Sequence, residues 1–207
     1  MNTKIYNFDP EKLSKLQQQV WKIARSKGWH EKRFSPFHWL CLVMTEVSEA
    51  VEADRKNRRA KTSDFEEVFC KMKKEYHSET DSIVYKTNFS LVYKTNFSLT
   101  YNQCIKDSVE EEFADIVIRL LDIACEFHGE DMKWQDSEMT VSSFCTFSEK
   151  AFYFVREILD YDMAALSHSI AYMYQWAEQE GINLDKQIEW KMKYNEFRPY
   201  KHGGKKY

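Results

Sequence analysis

The chain has 207 residues and a formal net charge of −3, with 43% hydrophobic and 30% charged residues. That length fits one domain with a sizeable core, and the abundance of aliphatic and aromatic residues excludes wholesale disorder. A net charge so near zero gives no global attraction to nucleic acid or to an anionic membrane, so neither partner is expected and function must reside in local constellations.

The N-terminus, Met1 to Tyr6, has no apolar stretch of signal-peptide length, and no later segment approaches a membrane span. The five cysteines, Cys41, Cys70, Cys104, Cys125 and Cys145, are widely spaced and form no C-x-x-C. They read as reduced thiols of a cytoplasmic protein, in which the N-x-S sequons at Asn88 and Asn96 carry no meaning.

In chain order, Asp9-Pro10 places an N-cap residue before a first-turn proline and opens a helix over about 9–27, closed by Gly28. Ser35-Pro36 opens a second helix over about 36–58 in the same way. Further helices are expected over about 107–128, 147–160, 162–180 and 184–197, with Gly129 and Gly181 at C-terminal caps. The expected fold is an all-α helical bundle, a single domain spanning 1–207 with an insertion at about 60–105 and a basic tail at about 191–207. The insertion holds a perfect tandem octapeptide, VYKTNFSL at 84–91 and again at 92–99. Its Tyr, Thr, Phe and Val favour extended structure, so a β-hairpin excursion is expected: a surface loop without chemistry, or an arm over a site or a partner.

The second and third of these helices carry matching acid pairs, Glu46 with Glu49 and Glu112 with Asp115. Positions i and i+3 lie about 60° apart on one helical face. Each pair borders an apolar stripe, Leu40, Val43, Val47 and Ala50 on one helix and Phe113, Ile116, Val117 and Leu120 on the other. If the stripes pack together, four carboxylates converge. Their repulsion calls for a hard divalent cation, and an all-oxygen site suits Mg²⁺ or Mn²⁺. Glu110 and Glu111 read as first-turn acids favoured by the helix dipole. A carboxylate-bridged di-iron bundle would need Glu-x-x-His pairs, and none of the six histidines has a glutamate three residues before it. At the other end, Lys191, Asn195 and Arg198 form a cluster suited to phosphate oxygens.

By these residues the chain resembles the MazG-like superfamily of all-α nucleoside triphosphate pyrophosphohydrolases, which includes dimeric dUTPases and dCTP pyrophosphatases. The family's E-x-x-E and E-x-x-D pairs are met by Glu46 and Glu49 and by Glu112 and Asp115, and its Lys-x-x-x-Asn-x-x-Arg pattern by Lys191, Asn195 and Arg198. The family continues with Tyr-Pro where this chain has Pro199-Tyr200, and the interval between the acid pairs is longer than the family's. The resemblance implies four acids holding Mg²⁺ (or Mn²⁺), phosphate contacts from the C-terminal trio, and assembly as a homodimer or homotetramer. It further implies a nucleoside triphosphate substrate cleaved to the monophosphate and pyrophosphate. Glu49 or Glu52 would position or deprotonate the attacking water, and His38 and Trp39 are candidates for contact with the base. The rival readings are a non-catalytic nucleotide sensor or adaptor that keeps the fold, and an enzyme for another pyrophosphate-containing substrate.

Overall fold

The computed structural model of the chain describes residues 4–6, 9–78, 83–159 and 161–204. In chain order its elements are β1 (Lys4–Tyr6), α1 (Pro10–Ser26), α2 (Pro36–Arg55), α3 (Thr62–Ser78), α4 (Ile83–Cys104) and α5 (Val109–His128). They continue with β2 (Ser137–Met139), α6 (Phe147–Glu157), α7 (Met163–Gln179) and α8 (Leu184–Phe197). The protein is all-α but for a short antiparallel ribbon in which β1 pairs with β2, Ile5 opposite Glu138. Among the described residues no helix is long and apolar enough to cross a membrane.

The six expected helices all form. Asp9 caps α1 by accepting from the Lys12 amide at 3.0 Å, and Thr146 and Glu149 make a reciprocal capping box at the start of α6. Ser35 stands at the N-cap of α2 without a side-chain hydrogen bond there, leaving Pro36 as the local start signal. Helix α5 occupies the centre, packed against α1, α2, α7 and α8. Its Phe113, Ile116, Val117, Leu120, Leu121 and Ala124 are fully buried, meeting Val43, Val47 and Ala50 of α2. This is the stripe-to-stripe contact that sets the acid pairs beside one another.

Among the described residues of 60–105 the expected hairpin is not formed: they make the helices α3 and α4, and both octapeptide copies lie in α4. Strand propensity gives way to packing at helical spacing. Phe65, Phe69 and Met72 of α3 and Phe97 and Tyr101 of α4 are buried, in steps of three or four residues. A repeat of eight on a 3.6-residue helix turns equivalent positions about 80° apart. Leu91, Val92 and Leu99 remain exposed. Phe65, Phe97 and Tyr101 join Trp190 of α8 in a second aromatic core, and Tyr101 stacks on Tyr194 at 4.4 Å. The insertion thus braces the helix that carries Lys191, Asn195 and Arg198.

Beyond α8 the chain returns over the turn between α1 and α2. Lys27 Nζ donates to the carbonyls of Glu196 (2.8 Å) and Arg198 (2.7 Å), while the Lys201 amide donates to the Lys27 carbonyl at 3.0 Å. The Lys201 ammonium meets Glu31 at 2.8 Å, and the Tyr200 hydroxyl donates to the same carboxylate. Gly28 (φ +80°) lies so close under Tyr200 that a Cβ there would stand 2.5 Å from the ring. Only glycine fits both that backbone and that contact. Lys201 (φ 43°) and His202 (φ 50°) continue the tail in the left-handed region, which carries His202 onto Trp29 edge-to-face at 4.9 Å.

Candidate metal centre

One cavity of about 390 Å³ gathers side chains from α1, α2, α5, α8 and the tail. From α2 come Glu46 and Glu49, from α5 Glu111, Glu112, Asp115, Arg119 and Asp122, and from α8 Lys191 and Asn195, with Arg198 at its C-cap. The lining holds seven carboxylates, with Asp107, against five lysine and arginine side chains.

Glu46, Glu112 and Asp115 offer oxygens that all lie within 4.8 Å of one another. Glu112 is 5% exposed, and its Oε2 has no hydrogen-bond partner among the described residues. Burial, then the charges of Asp115 and Glu111, push its carboxyl up to about 9. Burial and Asp115 raise Glu46 to about 7, even though Arg119, at 3.1 Å, favours its charged form. Two acids so reluctant to ionise, one with an orphaned buried oxygen, could share a hard cation. The donor set is all carboxylate, which suits Mg²⁺ or Mn²⁺.

Of the four acids expected as ligands, three converge. Glu49 lines the same cavity but is exposed and stands outside the triad. It is near enough for its charge to raise both Glu46 and Glu112. Glu52 does not belong to the site. Each i+3 step rotates the side chain by about 60°, so Glu52 lies about 120° from Glu46. It is half exposed and held by Arg55 (3.0 Å) and Lys56 (2.7 Å), which lower its pKa. That corrects its place as a candidate general base.

Lys191, Asn195 and Arg198 line the same cavity as the acids. Lys191 is buried, its ammonium 2.5 Å from Glu111 and 2.6 Å from Asp115. Burial opposes that charge, but the two carboxylates outweigh it and hold the ammonium protonated. Glu111, read from sequence as a first-turn surface acid, is instead 3% exposed and bound to Lys191. Nothing distinguished it from Glu110, whose carboxylate caps the Ala60 amide at 2.8 Å, except its i,i+4 spacing to Asp115.

His38 and Trp39 are likewise corrected as base contacts, because neither lines the cavity. They start about 12 Å from Glu46 along the α2 axis, at 1.5 Å per residue. Trp39 is core, 4% exposed and stacked on His30 at 5.1 Å, and His38 stacks on Phe34 at 4.2 Å. His30 in turn lies 2.9 Å from Asp122 and 3.1 Å from Glu126, tying the α1–α2 turn to α5. The aromatic groups that reach the cavity are Trp29, His202 and Tyr194. Their sequence signal was faint: Trp29 sits in a turn, and His202 arrives only through the left-handed path of the tail.

Compared with protein-family models, with curated proteins and with solved structures, the chain matches none.

Proposed function

We propose that the protein is a Mg²⁺-dependent nucleoside triphosphate pyrophosphohydrolase, releasing a nucleoside monophosphate and pyrophosphate. The observation that carries this reading is the orphaned carboxylate of Glu112 beside Glu46 and Asp115, with Lys191, Asn195 and Arg198 lining the same cavity. An acid cage and a cationic wall sharing one cavity suit a ligand that is itself a polyanion bound with metal.

Glu46, Glu112 and Asp115 would hold the cation. When bound, it supplies charge neutralisation for the phosphates and a lower pKa for water. Glu49, exposed at the same cavity, would take the proton of that water. Attack on the α-phosphorus forms the new P–O bond and breaks the bond to the bridging oxygen, so pyrophosphate leaves. Arg198 and Asn195 grip phosphate oxygens, and Trp29 offers a face for the base. Exposed Phe37 and Met44 on α2, with Phe152 on α6, are apolar surface that a second copy of the chain would cover.

The test is a panel of NTPs and dNTPs with Mg²⁺, assayed separately for pyrophosphate and orthophosphate and repeated in EDTA. Pyrophosphate release that EDTA abolishes supports the reading. Full activity in chelator, or orthophosphate as the product, sinks it. Tight nucleotide binding without turnover would favour the sensor instead.

A further inference from the structure

The α1–α2 turn carries a buried histidine with an acid at each ring nitrogen. His30, its side chain 7% exposed, has Nε2 at 2.9 Å from Asp122 and Nδ1 at 3.1 Å from Glu126, both of α5. A neutral imidazole has one N–H and serves only one of these acceptors, whereas the imidazolium serves both. We propose that His30 is a positioning residue that acts through its proton. Charged, it pins the α1–α2 turn to α5 and sets Trp29 at the cavity; deprotonated, it frees the turn and weakens nucleotide binding. The pin itself is geometric, and its tie to nucleotide rests on the function proposed above.

The residues on either side of His30 give the pin its reach. Trp29 lines the cavity and meets His202 edge-to-face. Glu31 takes the Tyr200 hydroxyl and the Lys201 ammonium of the tail. Asp122 lines the cavity as well, so pin and site share a stretch of α5. Lys27 ties the start of the turn to the carbonyls of Glu196 and Arg198, so losing the pin loosens the turn without detaching it.

The surroundings of the ring decide when its proton leaves. From α5 it faces Asp122 and Glu126. From α1 it faces the Trp21 ring at 4.2 Å, with Arg25 5.8 Å from that ring, and from α2 the Trp39 ring at 5.1 Å. Burial works against the charge, but the two carboxylates together raise the pKa above the ordinary 6.5. The pin therefore holds below that raised value and is lost as pH climbs through it. A bare ring nitrogen then faces a carboxylate, acceptor against acceptor, and the turn moves away.

Two variants act on the pin in opposite senses. In Glu126→Gln the new amide donates to a neutral ring or accepts from a charged one, so the turn stays pinned at any pH. His30→Gln never carries the charge that holds two carboxylates. Hydrogen–deuterium exchange over residues 28–34, without metal or nucleotide, is compared between the proteins at about pH 6 and at about pH 9. His202 is intact in all three, so its own protonation cancels. Wild type should match Glu126→Gln at the acid pH and exchange roughly fivefold faster at the alkaline one, with His30→Gln fast at both. KM for nucleoside triphosphate at saturating Mg²⁺ should follow the same order, with kcat little changed. Equal exchange in wild type and Glu126→Gln at both pH values overturns the pin. The expected exchange with an unchanged KM overturns the positioning of Trp29. Absence of turnover in all three sinks the hydrolase reading, and the exchange then decides the pin by itself.

Discussion

Arg119 of α5 lies 3.1 Å from Glu46 of α2, a cation set against an acid that burial would otherwise leave largely protonated near neutral pH. Removing it takes away a positive charge that opposes the competing proton and, more strongly, a divalent ion. Arg119→Gln should lower the Mg²⁺ needed for half-maximal turnover by roughly several-fold in alkaline buffer, with a smaller gain at neutral pH, where a proton on Glu46 competes. Mg²⁺ titrations of activity at two pH values check this. An equal change at both would mean that Arg119 acts on substrate and not on Glu46.

The raised acids also govern stability. Glu112 ionises at about 9 and Glu46 at about 7 in the fold, against 4.5 for the ordinary group. Between those limits the folded state binds more protons than the unfolded state, so the ion-free protein loses stability as pH rises through that window. His30 works in the same direction. Burial disfavours its charge, but Asp122 and Glu126 raise its pKa, so the stability it contributes below its unfolded pKa fades as pH climbs through the folded one. The Tm in EDTA should therefore fall from about pH 5.5 to about pH 8.5, and Mg²⁺ should restore more at the alkaline end. A flat profile would contradict the buried acids.

Glu49 and Glu52 separate cleanly. Glu49→Gln should lower kcat by roughly 10²–10⁴ if it takes the proton of water. Glu52→Gln, which loses only the exposed pairs with Arg55 and Lys56, should keep kcat within about twofold. Equal losses in the two variants would return Glu52 to the chemistry.

Gly28→Ala should unseat the tail. The new methyl meets the Tyr200 ring, and the backbone is held at φ +80°. A destabilisation of about 1–3 kcal/mol is expected from the strain. With Trp29 and His202 drawn apart, KM for nucleotide should rise while Mn²⁺ affinity stays unchanged. Unaltered KM would detach the tail from substrate binding.

The bundle was legible because its helices carry strong local signals: Pro10 and Pro36 at starts, Gly28, Gly129 and Gly181 at ends, and apolar stripes between. Glu46, Glu112 and Asp115 were legible for the same reason, since i,i+3 spacing beside a stripe survives folding. What lay hidden was set by tertiary partners. Glu111 is set apart from Glu110 by burial and by meeting Lys191 from a helix distant in sequence. Trp29 lies in the α1–α2 turn and lines the cavity, whereas Trp39 is buried in the core from α2. In α4 the residues' local preference for strand was outweighed by the aromatic core that Phe97 and Tyr101 complete with Trp190.

The tandem octapeptide has a consequence that follows from its lying in a helix and not in a loop. Because the copies are identical, deleting 84–91 or 92–99 yields the same polypeptide, and the residues leading into Thr100 read the same in either case. The end of α4 anchored at Tyr101 and Ile105 keeps its register, with the surviving phenylalanine in the place of Phe97, and about 12 Å of helix is lost from the far end. The deletion variant should fold, hold Tyr194 in place and retain turnover, with a thermal melt and an activity assay as checks. A molten or inactive product would show that the distal half of α4 is required. Such a helix is a telescoping strut: its length can change in whole octapeptide steps while the joint that braces the phosphate wall stays in phase.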